Sequence, residues 1–185
     1  YNQAKKQFRI MERMIGDILQ AAKGQNSELQ IQPHKLYLNV LCENILKQFT
    51  SQFLSKSFLV KKDLPQDLPA IYADEELINQ VLVNLLENAI KYTPEGGTIS
   101  ISILHRTAQK IQLSVCDTGP GIPPEQQELI FQRNFRLKRD RAKEGYGIGL
   151  SLCSQVIRAH YGQIWVNSNL GEGSCFHFTL PVYRL

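Results

Sequence analysis

At 185 residues the chain has room for one ordinary domain with a sizeable core, plus an appendage. A hydrophobic fraction of 43% and a charged fraction of 21% exclude a disordered or collagen-like chain, and no apolar run approaches the ~18–20 residues of a membrane-spanning helix. A net charge of +4 is too small and too dispersed to indicate nucleic-acid binding by itself.

Residues 1 to about 23 read as a helix. Phe8, Met11, Ile15, Ile18 and Ala22 form a heptad-like seam, with Lys5, Lys6, Arg9, Glu12 and Arg13 mostly on the other face. One such helix cannot bury its stripe alone. It needs a partner helix or a seat on the main domain. The chain opens at Tyr1 inside this pattern, with no initiator Met and no secretory signal, which predicts a piece of a longer protein. Lys23–Ser27 is a polar, Gly-containing linker. Leu38, Leu41, Ile45, Phe49 and Phe53 predict a second helix over 35–55, followed by short strands at 58–60 and 70–72 around the Pro65–Pro69 turn.

Asp74 is a good N-cap for a long helix to Tyr92. Its apolar residues, from Leu77 to Ile90, cover a broad arc, so the helix is largely buried. Asn84 and Asn88 share a face at i, i+4, and Lys91 and Tyr92 follow. Asn is a mediocre helix former. Two in a buried helix imply either a hydrogen-bonded core network or a ligand, for which an amide oxygen suits Mg2+. Residues 98–104 and 109–116 alternate as two strands of a hairpin.

The second of these strands ends in Asp117-Thr118-Gly119-Pro120-Gly121-Ile122-Pro123, a sharp open turn with bare backbone. A carboxylate fixed there can accept from the amino group of a flat ring such as adenine. Alone, the pattern reads equally as a polar strand-to-helix turn. Pro123 starts a short helix ending near Phe131. Arg136, Lys138, Arg139, Arg141 and Lys143 then make a basic, solvent-facing and mobile segment. It leads into Gly145-Tyr146-Gly147-Ile148-Gly149-Leu150, which opens a helix to about His160. Glycines let a phosphate chain approach the backbone, and the first helical amides point at it. A strand pair at 163–166 and 174–180 closes the chain across the turn at 169–173. The cysteines Cys42, Cys116, Cys153 and Cys175 are far apart, with no CxxC or Cys/His cluster. They read as free thiols in a reducing, cytoplasmic compartment.

Taken in order, Asn84–Tyr92, Asp117–Gly121, Gly145–Leu150 and Gly171–Pro181 resemble the N box, two glycine boxes and final glycine hairpin of the ATP-binding catalytic domain of two-component sensor histidine kinases. The run through Arg158, His160, Gly162 and Trp165 is similar to a clock-associated cyanobacterial branch of that family. The resemblance implies an α/β two-layer sandwich of the Bergerat type, with a mixed, mostly antiparallel sheet and helices on one face. It implies residues 1–24 as part of a dimerisation hairpin, 25–34 as linker and 35–185 as the catalytic domain. It also implies ATP and Mg2+ as cofactors. Asn88 would bind the metal with Asn84 beside it, Lys91 would reach phosphate, and Tyr92 would pack at the nucleotide's edge. Asp117 would take the adenine amino group, with Gly119, Gly121 and Ile122 shaping the pocket. Gly145, Tyr146, Gly147, Ile148, Gly149 and Leu150 would line the phosphates. Ser174 stands where Thr is usual in the family, within the binding set.

The family's phenylalanine box departs here. Phe131 is followed by Asn134 and then Phe135, which implies shifted lid packing. The acceptor histidine of the family precedes an acidic residue, whereas His34, His105, His160 and His177 precede Lys, Arg, Tyr and Phe. The expected partners are therefore a separate phosphoacceptor hairpin and a response regulator, within a homodimeric parent. Related gyrase-type and chaperone ATPases place a carboxylate four residues before the metal-binding Asn. That position is Asn84 here, a poor base, which favours phosphoryl transfer over hydrolysis. A nucleotide-free, nucleic-acid-binding module is the remaining alternative.

Overall fold

The computed structural model divides into two compact units, residues 1–30 and 31–185. It describes residues 29–135 and 147–183, so the helix expected over 1–23 and the basic segment 136–146 lie outside the described residues.

The elements of the second unit are β1 (His34–Leu36), α1 (Leu38–Ser55), β2 (Leu59–Asp63), β3 (Ile71–Ala73), α2 (Glu75–Tyr92), β4 (Thr98–Thr107), β5 (Lys110–Asp117), two 3-10 turns (Pro124–Gln126 and Leu129–Phe131), α3 (Gly149–Ala159), β6 (Gln163–Asn169) and β7 (Gly173–Pro181). Five strands form one sheet in the order β2-β4-β5-β7-β6, with β2 parallel to β4 and the other pairs antiparallel. The mixed sheet with helices packed on one face is the expected two-layer architecture.

Register explains the layering. Ile103, Leu113, Phe178 and Ile164 share one rung, and Ile101, Val115, Phe176 and Val166 share the next but one. With a side-chain period of two, these rungs put one apolar face toward the helices. The intervening rungs carry Ser114, His177 and Trp165, and then Cys116 and Cys175, on the opposite face. There the Trp165 and His177 rings stack at 5.2 Å, and Ser114 Oγ lies 2.8 Å from His177 Nδ1.

Three short elements differ from expectation. His34–Leu36 is a strand paired with Ile71–Ala73 in a separate two-stranded sheet, because three residues are too few to show alternation. β2 continues through exposed Lys61, Lys62 and Asp63, held as an edge strand by its parallel pairing with β4. The helix expected after Pro123 is two 3-10 turns.

The free-thiol expectation holds for Cys42 and Cys153, both buried, but not for the other two. Cys116 and Cys175 stand directly opposite each other on β5 and β7, with Cα atoms 3.9 Å apart, and are joined through sulfur. They are 59 residues apart in sequence, so spacing alone carries no sign of the pair.

α2 is anchored at both ends. Asp74 Oδ1 accepts the Leu77 N–H at 3.2 Å, and Oδ2 accepts the Gln32 N–H at 2.9 Å. The backbone N–H of Asp74 donates to His160 Nε2 at 3.0 Å, so the proton of the neutral ring sits on Nδ1, which donates to the Val156 carbonyl at 2.8 Å. At the other end, Thr93 Oγ1 donates to the Ala89 carbonyl at 2.6 Å. Replacing Asp74 with Ala should lower the unfolding free energy by about 1–2 kcal/mol, and Asp74→Asn by much less. Urea unfolding midpoints compare the two.

Candidate functional site

β5 is the central strand, buried from Ile111 to Val115. Its alternation places Asp117 on the helix-facing side, two residues beyond Val115. The carboxylate accepts the Gly119 N–H at 2.8 Å, and Ser174 stands opposite Asp117 on the neighbouring strand. Burial still pushes its pKa up to about 6, the backbone N–H groups of Gly119 and Ser174 opposing the rise. A Cβ on Gly119 would stand 2.6 Å from Asp117 Oδ1 and 3.0 Å from the Tyr92 carbonyl oxygen. The glycine turn, the carboxylate and the C-terminal end of α2 therefore meet at one point.

The closing hairpin pins this turn. Gly121 has φ +71°, and a Cβ there would fall on the Asn169 carbonyl oxygen, so only glycine fits. The Gly171 N–H donates to the Pro120 carbonyl at 3.0 Å. Buried Ile122 donates its N–H to Ser168 Oγ at 2.8 Å, and that hydroxyl donates to the Gly173 carbonyl at 2.6 Å. Gln127 Nε2 donates to the carbonyls of Ile122 at 3.0 Å and Ser168 at 2.7 Å. Ser174 Oγ is 3.0 Å from Ser168 Oγ. Ser168 and Gln127 are not among the residues that the sequence points to. Ser168 and Gln127 each bond across more than 40 residues, and a lone Ser or Gln gives no local signal.

Asn84 marks the opposite end. It is buried, and a Cβ on Gly149 would stand 3.0 Å from its Oδ1. The first residue of α3 thus lies against the first asparagine of α2. Ile148, the N-cap of α3, provides no side-chain cap to the leading amides of the helix. Asn88 follows Asn84 by one turn on the same face and is part-buried. Lys91 Nζ lies 5.1 Å from the Tyr92 ring centroid. From Asn84 to Tyr92 the helix advances ~12 Å at about 1.5 Å per residue. Leu150 is part-buried, Gly147 has φ +71°, and Gly145 and Tyr146 lie outside the described residues.

Where the phenylalanine box departs, Asn134 adopts φ +61° and donates its N–H to the Gly147 carbonyl at 3.1 Å. Asn tolerates this left-handed conformation better than Phe. Phe131 packs edge-on against Phe176 at 6.4 Å. A separate cleft of about 840 Å3, lined by Phe131, Arg133, Gln155, Arg158 and Trp165 among others, includes none of the residues predicted for the site.

A helix bearing Asn84 and Asn88, a strand-end carboxylate and an uncapped glycine-led helix, set on one face of a mixed sheet, define a nucleotide-binding domain of the histidine-kinase kind. The family described as histidine kinase-, DNA gyrase B- and HSP90-like ATPase matches residues 73–184, and the chain belongs to it. It is similar to the adaptive-response sensory kinase SasA of Gloeothece citriformis, 67% identical over the whole chain and 47% of that protein. The SasA of Rippkaea orientalis is 63% identical over the same shares. The chain therefore spans about half the length of these relatives. Full-length ShkA in complex with AMPPNP has a similar structure, with TM-score 0.82 and 26% identity over 94% of this chain and 36% of that one.

The raised pKa of Asp117 has a sign that can be checked. The folded chain holds this proton more tightly than the unfolded chain does. The group's contribution to stability is therefore complete below pH ~4 and is lost as pH rises through about 6. Ionising it costs the fold up to about 3 kcal/mol at pH 7. Asp117→Asn should leave the thermal midpoint at pH 7 unchanged or higher, yet weaken AMPPNP binding at least ~10-fold by removing a charged acceptor. Wild-type affinity should fall as pH drops below about 6, where the carboxylate is protonated. Calorimetric titration of both proteins at pH 5 and 7.5 measures the two affinity changes, and a thermal melt at pH 7 gives the midpoints.

Proposed function

We propose that the chain binds Mg-ATP with adenine at Asp117 and phosphates toward Asn84 and Gly149, and transfers the γ-phosphoryl group to a histidine on the dimerisation hairpin, the acceptor itself lying outside this sequence. The hairpin passes it on to a response-regulator aspartate. Residues 1–24 are read as part of that hairpin, 25–34 as a linker, and the parent as a cytoplasmic homodimer. The observation that carries this is a pair of contacts along the C-terminal half of α2. Tyr92 meets Gly119 beside Asp117, and Asn84 meets Gly149. One extended nucleotide lying along the helix serves both. ThkA, solved in complex with its response regulator TrrA, supports the relay, with TM-score 0.77 and 29% identity over 97% of this chain and 49% of that one.

The donor set suits a magnesium nucleotide. Among the described residues no cluster of three His, Cys, Asp or Glu could hold a metal by itself. The Asn88 amide oxygen is a neutral hard ligand, fit for an ion held mainly by phosphate and water. When bound, the ion would neutralise charge on the phosphate chain. Asn84 lines the approach to α3, Lys91 offers positive charge, and the amides of Gly149 and Leu150 face the phosphates with Gly145, Tyr146, Gly147 and Ile148 leading in. Gly121, Ile122 and Ser174 shape the adenine end around Asp117. In the transfer, the bond from phosphorus to the bridging oxygen breaks as a neutral imidazole nitrogen bonds to phosphorus. The transition state is loose, so positioning and charge neutralisation dominate. The imidazole is its own nucleophile. This favours transfer over water activation, for which Asn84 is no base.

The chain, radiolabelled ATP, Mg2+ and a separately made acceptor hairpin should give acid-labile label on the hairpin. Asn88→Ala should reduce the initial rate by about 100-fold or more. Hydrolysis of ATP at an undiminished rate without labelled hairpin would favour a conformational ATPase instead.

A further inference from the structure

We propose that Cys116 and Cys175 are a reversible redox-modification site, whose disulfide tightens the nucleotide site from the back of the sheet. The proposal rests on placement. The two residues share a rung of β5 and β7, and the next rung toward the site pairs Asp117 with Ser174. On that rung Asp117 faces Ser174, and its carboxylate accepts the Gly119 N–H just beyond the strand. Because side chains alternate, the sulfurs lie on the open face while Asp117 lies on the helix face, so oxidation reaches the site only through the backbone. The pair is half-buried, unlike Cys42 and Cys153, which are fully enclosed. Burial also pushes the Cys42 thiol up to about 12, leaving it inert at neutral pH. In a reducing compartment a disulfide in contact with solvent is a transient, redox-sensing bond rather than a structural one.

The chemistry needs only a small-molecule disulfide such as oxidised glutathione. One protein thiolate attacks a glutathione sulfur, giving a mixed disulfide and expelling one glutathione thiolate. The second protein thiolate then attacks the protein sulfur of that mixed disulfide and expels the other. The two cysteines lose two electrons to the glutathione disulfide, and their two protons end on the released glutathione thiols. His177 Nδ1 lies 4.0 Å from Cys175 Sγ and 2.8 Å from Ser114 Oγ.

The cross-link fixes the separation of β5 and β7 one residue from the Asp117–Ser174 rung. The oxidised site is thereby preorganised, and reduction allows that rung to open. The consequence for affinity rests on Asp117 being the adenine acceptor, whereas bridge formation does not. The test treats the 185-residue chain with oxidised glutathione or with dithiothreitol, maps bridges by alkylation and peptide mass, and titrates each form with AMPPNP. A 116–175 bridge should form in the wild type and not in Cys116→Ser or Cys175→Ser. Reduction should weaken AMPPNP binding roughly three- to tenfold in the wild type and leave both variants unchanged. Failure of the bridge to form, or formation of glutathione adducts alone, overturns the site. A bridge with equal AMPPNP affinity in both states overturns the coupling. If Asp117→Asn still loses AMPPNP in that case, the nucleotide reading stands without it.

Discussion

Everything at this site depends on a carboxylate kept partly out of water. Asp117 is the last residue of a strand whose preceding side chains are buried, so the sheet itself carries the charge into a low-dielectric edge. The Gly119 N–H holds it there without satisfying it fully. A carboxylate has about four lone-pair positions, and an exocyclic amino group is a fitting further donor. The protein thus carries an electrostatic cost in the empty state that a correctly shaped donor offsets. Preorganised sites trade stability for recognition in this way.

The rest of the unit keeps the two ends of the site in fixed relation. α2 spans from the Asn84 contact with α3 to the Tyr92 contact with the glycine turn. His160 joins the start of α2 to the end of α3, its Nε2 accepting from Asp74 and its Nδ1 donating to Val156. Cys153 adds a weaker link, with Sγ 3.9 Å from the Val81 carbonyl of α2. The two helices that meet at Asn84 and Gly149 therefore behave as one block. The glycine turn after Asp117 is tied to the closing hairpin through Ser168 and Gln127.

Long periodic elements were legible in the sequence. α2, with its Asp74 cap, and the β4–β5 hairpin have the expected type and nearly the expected bounds, because burial imposes a period that composition reveals. The site was legible at residues whose type is odd for their position, such as asparagines in a buried helix or glycines around a carboxylate. Less visible was whatever depended on register between distant strands. The Cys116–Cys175 rung, the Ser168 hydroxyl shared by two loops and the β1–β3 pair follow from how strands align, and no local window contains that alignment. The β1 strand is further obscured by its length of three residues.

The backbone bond between Asn134 and Gly147 closes a loop at its neck. A neck of this kind separates the length of the chain it encloses from the scaffold on either side. A change in that length leaves the strand register and the phase of α3 outside the neck as they are. Insertions and deletions between these two residues are therefore an inexpensive route by which evolution could vary how the domain meets different partners, leaving α3 and its leading amides where they are.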